Sequence, residues 1–181
     1  VKGRTLLIGL AVIGASGGAA MAGLHWRAPL AGWQEIAWPF PRDAWPAGRA
    51  FYCGSAECGG PIEAYVRPKL GFCNCATGVS GDAEVDGVAD LDMITPDFVP
   101  SGDGAPVALG GMAGRARTYT LRLPDGAQRP GAGFAVSRRC DLVVVATQGA
   151  AAGSAAAARG VAGLIGSQNV LDWINARLGK G

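Results

Sequence analysis

The dominant hydrophobic feature of the chain is an uncharged run from Thr5 to Leu24, preceded by Lys2 and Arg4 and followed by His25, Trp26 and Arg27. At about 1.5 Å of rise per helical residue, such a run covers the roughly 30 Å hydrocarbon core of a bilayer. Residues 1–27 are therefore expected to form one membrane-anchor helix. The basic residues ahead of it belong on the cytoplasmic side, so the remainder is expected in the periplasm of a bacterium, tied to the inner membrane by a single pass. Ala20-Met21-Ala22 supports an alternative, cleavage by a signal peptidase that would release the chain from Gly23 onward into the same compartment.

After the anchor the pattern changes twice. Residues 28–48 carry Pro29, Pro39, Pro41 and Pro46 among Trp33, Trp38 and Trp45. Proline at this density excludes a long helix or a central strand. This segment is expected to be an interfacial linker in which Trp26, Trp33, Trp38 and Trp45 meet the bilayer or a partner; the alternative is a linker whose indoles pack on its own domain. From residue 49 to 181 the pattern is that of a folded domain. Strands are expected at residues 49–53, 62–67, 70–75, 107–109, 115–123, 133–138 and 142–147. The continuously apolar stretch 142–145 marks a central strand. Val85, Val88 and Leu91 recur at helical spacing, which predicts a short helix within residues 78–92, with Asp82 capping its start. The Ala- and Gly-rich tract 150–166 predicts a weak helix. A better one follows, opened by Ser167, closed by Gly179 and apolar along Val170, Leu171, Ile174 and Leu178. The expected fold class is α+β: an N-terminal transmembrane helix, then a disulfide-stapled domain with an antiparallel or mixed sheet and C-terminal helices.

Charge narrows the partners. The chain has 16 basic and 14 acidic residues, and without Lys2 and Arg4 the exported part is neutral. A neutral domain has no electrostatic footprint for nucleic acid. Cys53, Cys58, Cys73, Cys75 and Cys140 are suited to disulfides in an oxidising compartment. Five cysteines permit two bridges and one spare thiol in several arrangements. Cys73 and Cys75 sit too close along a strand to bond each other easily, so one of them is expected to reach Cys140 or Cys53.

Candidate chemistry is sparse. His25 is the only histidine and belongs to the anchor region, so a Ser/His/Asp or Cys/His set cannot be assembled in the domain. Gly110-Gly111-Met112-Ala113-Gly114 lacks the Lys-Ser/Thr ending of a phosphate loop and reads as a turn. Asp82-x-Glu84-x-Asp86-Gly87 opens like a calcium loop, but Met93 stands where the bidentate carboxylate belongs. No C-x-x-C-H haem motif occurs. No metal, cofactor or catalytic residue is expected. Two surfaces remain. Gly14 and Gly18, with Ala11 and Ala15, form a small-residue stripe suited to packing against another membrane helix. Asp82, Glu84, Asp86, Asp90 and Asp92 form a run of carboxylates with no basic residue between them, which suits docking of a basic soluble electron carrier.

The segments Phe51-Tyr52-Cys53 to Cys58-Gly59, Tyr65-Val66-Arg67, Gly71-Phe72-Cys73-Asn74-Cys75 and Arg139-Cys140-Asp141 resemble a pattern in uncharacterised, singly anchored periplasmic proteins of alphaproteobacteria. The resemblance implies that all five cysteines belong to one framework and brings no catalytic or binding residues with it. The functional expectation is a non-catalytic accessory subunit of a respiratory or photosynthetic inner-membrane complex. It would contact the bilayer and integral membrane subunits and assist assembly, stability or electron-carrier docking. The alternative is a periplasmic metal-binding or thiol-handling protein using copper or zinc on Cys53, Cys58, Cys73 and Cys75.

Overall fold

A computed structural model describes residues 32–54, 56–71 and 74–179. The anchor expected at residues 1–27, including Ala11, Gly14, Ala15, Gly18, His25 and Trp26, lies outside them. Among the described residues no helix is long and apolar enough to cross a membrane. The strands are β1 (Trp33–Ile36), β2 (Arg49–Cys53), β3 (Ile62–Lys69), β4 (Phe98–Pro100), β5 (Ala105–Leu109), β6 (Met112–Arg122), β7 (Gln128–Arg138) and β8 (Asp141–Gln148). The helices are α1 (Asp82–Val88), α2 (Ala155–Gly166) and α3 (Gln168–Leu178), with 3₁₀ turns at Ala56–Cys58 and Leu91–Met93.

All eight strands form one sheet in the order β1-β2-β3-β8-β7-β6-β4, with β5 also paired to β6. Every pairing is antiparallel. The apolar run of β8 lies near the middle, hydrogen-bonded to β3 on one side and β7 on the other. Its side chains alternate between two cores, as strand geometry requires. Val143 and Val145 face the core built with Val161, Leu164 and Ile165 of α2 and Val170, Ile174 and Leu178 of α3. Leu142, Val144 and Ala146 face a second core with Val85 of α1, Ala89 and Leu91. The result is three layers: a sheet with α2 and α3 on one face and α1 with the Trp38–Phe40 region on the other.

Local chemistry explains most boundaries. Gly110 and Gly111 have φ of +56° and +79°, the left-handed pair that a tight β5–β6 hairpin turn needs, so the glycine cluster is a turn as read. Ser154 opens α2 by accepting the Ala157 N–H at 3.0 Å. Ser167 does sit ahead of α3, yet its hydroxyl donates back to the Leu164 carbonyl at 2.6 Å rather than capping. Gly179 closes α3, its N–H donating to the Asn175 carbonyl at 2.7 Å.

Several expectations are corrected. The sheet starts at Trp33, not at residue 49: β1 pairs with β2 along Trp33↔Cys53 to Ile36↔Ala50, a short edge strand placed before Pro39, Pro41 and Pro46. The stretch expected as a strand at 70–75 is a turn in its described part, where Gly71 has φ +66° and donates its N–H to Asp141 Oδ1 at 2.8 Å. β4 was not anticipated; its Pro100 fits because β4 pairs only with β6. Finally, α1 is preceded by Gly81 at its N-cap, and Glu84 accepts the N–H groups of Ser80 at 2.6 Å and Gly81 at 2.8 Å. Asp82 is the first residue of the helix and does not cap it.

Two disulfides join the described cysteines. Cys53–Cys58 closes the short connection after β2, and Cys75–Cys140 ties the segment after β3 to the β7–β8 turn, as expected for one of Cys73 and Cys75. Cys73 lies outside the described residues.

Candidate functional site

The sheet face under α1 carries three ionic groupings. The first joins α1 to β6. Arg115, Arg117 and Tyr119 alternate along β6 and so point to one face. Asp82 and Asp86, four apart on α1, lie on one side of that helix. Arg115 Nε donates to Asp82, Arg117 Nη1 donates to Asp86 Oδ2 at 2.6 Å, and the Tyr119 hydroxyl donates to Asp86 Oδ1 at 2.6 Å. The N–H of Gly104 adds a bond to Asp82 at 2.9 Å. That bond, with the Arg115 guanidinium, holds the Asp82 carboxyl below its usual range, and the Ser80 and Gly81 N–H groups do the same for Glu84.

The second grouping is buried. Arg67 and Lys69, neighbours on one face of β3, are only 2% and 4% exposed. Asp90 answers both: its Oδ2 lies 3.1 Å from Arg67 Nε, and its other oxygen accepts from Lys69. Lys69 Nζ also donates to the Val88 carbonyl at 3.1 Å, and Arg67 Nη1 donates to Asp43 Oδ2 at 2.7 Å. Burial raises the Asp90 carboxyl above its usual value despite the two cations, whereas the Arg67 bond lowers that of Asp43. Trp38 lies 5.4 Å from the Arg67 guanidinium and Trp45 lies 5.7 Å from Lys69 Nζ. These contacts fasten residues 38–45 to the sheet.

In the third, Gln148 Nε2 donates to Glu63 Oε2 at 2.8 Å and to the Tyr65 oxygen at 2.7 Å, while the Tyr65 hydroxyl donates to Glu63. Burial and Glu63 push the Tyr65 phenol well above its ordinary value, so it stays protonated. This cluster borders a surface cavity of about 380 Å³ with Tyr52, Gln128 and Arg129. A phenol held in this state is a hydrogen-bond donor, not a base or nucleophile at neutral pH.

The carboxylate run is thus largely consumed within the domain. Asp82, Asp86 and Asp90 pair with cations of β6 and β3, and Glu84 serves the start of α1; Asp92 is exposed. These pairings, made with basic residues from strands distant in sequence, offset much of the charge that the run was expected to offer a basic carrier. The expected indole contacts also turn inward. Trp33 is buried and donates Nε1–H to the Gly160 carbonyl at 3.1 Å, and Trp38 makes an edge contact with Tyr65 at 6.2 Å between centroids. Cys53, Cys58, Cys75 and Cys140 are oxidised in pairs, which removes the thiolates that copper or zinc would need. Among the described residues no group of three metal-ligating side chains is assembled.

Trp45 is half-buried and lines a cleft that sequence reasoning missed. β2 pairs with β3 only as far as Arg49↔Val66, so residues 67–69 of β3 extend past it, paired with β8 alone. Pro68, unable to donate to a ladder, lies on this uncovered stretch. Trp45, Pro46 and Ala47 come in from one side, and Trp173, Ala176 and Arg177 of α3 from the other. Together with Pro68 and Leu70 they line a cleft of about 330 Å³. Leu70 is 49% exposed, one of few large apolar side chains so open. Gly48 permits the approach of this segment: a side chain there would strike the Val66 carbonyl and the Trp38 ring. Arg49 lies 5.5 Å from the Trp173 ring and donates its Nε–H to Glu35 at 2.8 Å.

No protein-family model and no curated protein matches the chain. Among solved structures it is similar to LpqN, involved in cell envelope biogenesis of Mycobacterium tuberculosis, with a TM-score of 0.37 and 18% identity. The likeness covers 65% of this chain and 64% of LpqN, so the chain spans less than two thirds of that protein's length. At that level the functional reading rests on the residues themselves.

Proposed function

We propose that this chain is a non-catalytic accessory protein of a bacterial inner-membrane complex, working on the periplasmic side and recognising a partner molecule through the Trp45–Trp173 cleft. The carrying observation is the cleft itself: an exposed apolar concavity beside charged side chains that are already partnered within the domain. Apolar concavities with few polar groups are the usual form of a recognition site. The export expected from the opening apolar run is supported by the two disulfides, which persist in oxidising compartments. Docking of a basic carrier is left out of the proposal, because Asp82, Asp86 and Asp90 are paired within the domain.

Purification of the full chain from native membranes in mild detergent tests the reading. Stoichiometric co-purification with integral membrane subunits is the expected result. A clean monomer under conditions that preserve other complexes overturns it.

A further inference from the structure

From the geometry we infer that the Trp45–Trp173 cleft binds a single medium-length acyl or alkyl chain ending in one carboxylate, with Arg177 as the counter-charge. The inference rests on the reading of this cleft as the recognition site and names its ligand. The argument begins with size. A cleft of about 330 Å³ stands at the lower end of the roughly 300–1,000 Å³ typical of ligand pockets, room for one slender apolar body and not for a two-chain lipid.

Charge then selects the head group. The two indoles that wall the cleft would suit a cationic ligand, were they free. They are not: Lys69 lies 5.7 Å from the Trp45 ring and Arg49 lies 5.5 Å from the Trp173 ring. Each of those cations is itself paired with a carboxylate, so the rings are already occupied and offer a cationic ligand little. Among the described residues that line the cleft, Arg177 is the charged one and none is a carboxylate; it is exposed, on the last turn of α3. A guanidinium at the edge of an apolar slot is the usual partner for a carboxylate, which its planar fork meets with paired hydrogen bonds. The apolar tail then lies against Leu70, Pro68 and the indoles, covering surface that is otherwise open to water.

The test uses the full chain in lipid nanodiscs, irradiated with a decanoate carrying a diazirine at its tail, with adducts located by peptide mass spectrometry. Adducts concentrated on Trp45, Leu70 or Trp173 are expected. Excess decanoate should suppress them about tenfold more effectively than decyltrimethylammonium, the discrimination expected of one charge-assisted contact. Arg177→Gln, at an exposed site where folding is verified by circular dichroism, should lower the yield by a similar factor. Adducts scattered over the chain, equal suppression by the cationic competitor, or an unchanged yield in Arg177→Gln would each overturn the assignment. Failure here with intact co-purification removes the ligand and leaves the accessory role; success with a clean monomer does the reverse.

Discussion

Asp86 accepts two hydrogen bonds from one strand, one from Arg117 Nη1 and one from the Tyr119 hydroxyl, both at 2.6 Å. The two donors stand two residues apart on β6, and Asp82, which bonds Arg115, stands one helical turn before Asp86. Two strand residues span about 6.8 Å and four helical residues about 6 Å, so the two ladders run nearly in step. This match docks α1 across the sheet at a fixed register. It also explains why a short helix rich in aspartate is held on a protein surface.

Tyr119→Phe tests that register. The ring is buried beside Phe98, 5.7 Å between centroids, and its packing survives the change. Only the hydroxyl is lost, leaving Asp86 Oδ1 short of a donor. A loss of about 1.5–3 kcal/mol in urea unfolding is expected, the range for a hydrogen bond to a charged group. Asp86→Asn in the same background should cost further stability, because it also removes the charge that pairs with Arg117.

Acid should weaken the fold in a defined way. Asp82, Glu84 and Asp43 have folded values below their unfolded ones, so their stabilisation is complete above about pH 4 and is lost as pH falls through the depressed folded values. Asp90 has the opposite sign: burial raises its folded value, so below that value its protonation favours the folded state and offsets part of the loss. The melting temperature should therefore fall as the solution is taken below pH 4. Asp82→Asn should flatten that fall, and a wild-type profile unchanged down to pH 2 would contradict the assignment.

Trp33 provides a test of where the domain begins. Its indole fills the core beside Gly160 and donates to the carbonyl there. Trp33→Ala should cost about 3–5 kcal/mol, the range for a large buried aromatic, and Trp33→Phe about 1 kcal/mol plus the difference in packing. Both are read by denaturant unfolding of the protein alone. An indole reserved for a partner would leave these curves unmoved.

What was legible in the sequence was local. The apolar run 142–145 announced a strand near the middle of the sheet, Ser167 and Gly179 bracketed α3, and Gly110-Gly111 marked a turn. Each of these signals is complete within a few residues. The carboxylates of 82–92 were visible too, but their partners, Arg115, Arg117, Arg67 and Lys69, reach them only after β3 and β6 take their places. A run without adjacent basic residues reads as open when only neighbours are counted. The cleft was invisible for the same reason, since it arises from β3 outrunning β2 and from α3 folding back on that overhang. Trp33 reads as part of a linker because proline crowds residues 39–46, whereas β1 ends at Ile36, ahead of the first of them.

The two disulfides should separate on reduction. Chain-entropy reasoning gives about 4 kcal/mol for the 65-residue separation closed by Cys75–Cys140 and about 2 kcal/mol for the five-residue separation of Cys53–Cys58. Exposure acts on the rates: Cys53 and Cys58 are buried, whereas Cys75 and Cys140 are exposed and open to an attacking thiolate. Low dithiothreitol on the native protein should therefore open Cys75–Cys140 first and lower the melting temperature in one step. Cys53–Cys58 should resist until the core around Phe51 and Val161 opens. Alkylation followed by peptide mass spectrometry reads the order directly. Label on Cys53 and Cys58 ahead of Cys75 and Cys140 would show that the first pair is not enclosed in the core with Phe51 and Val161.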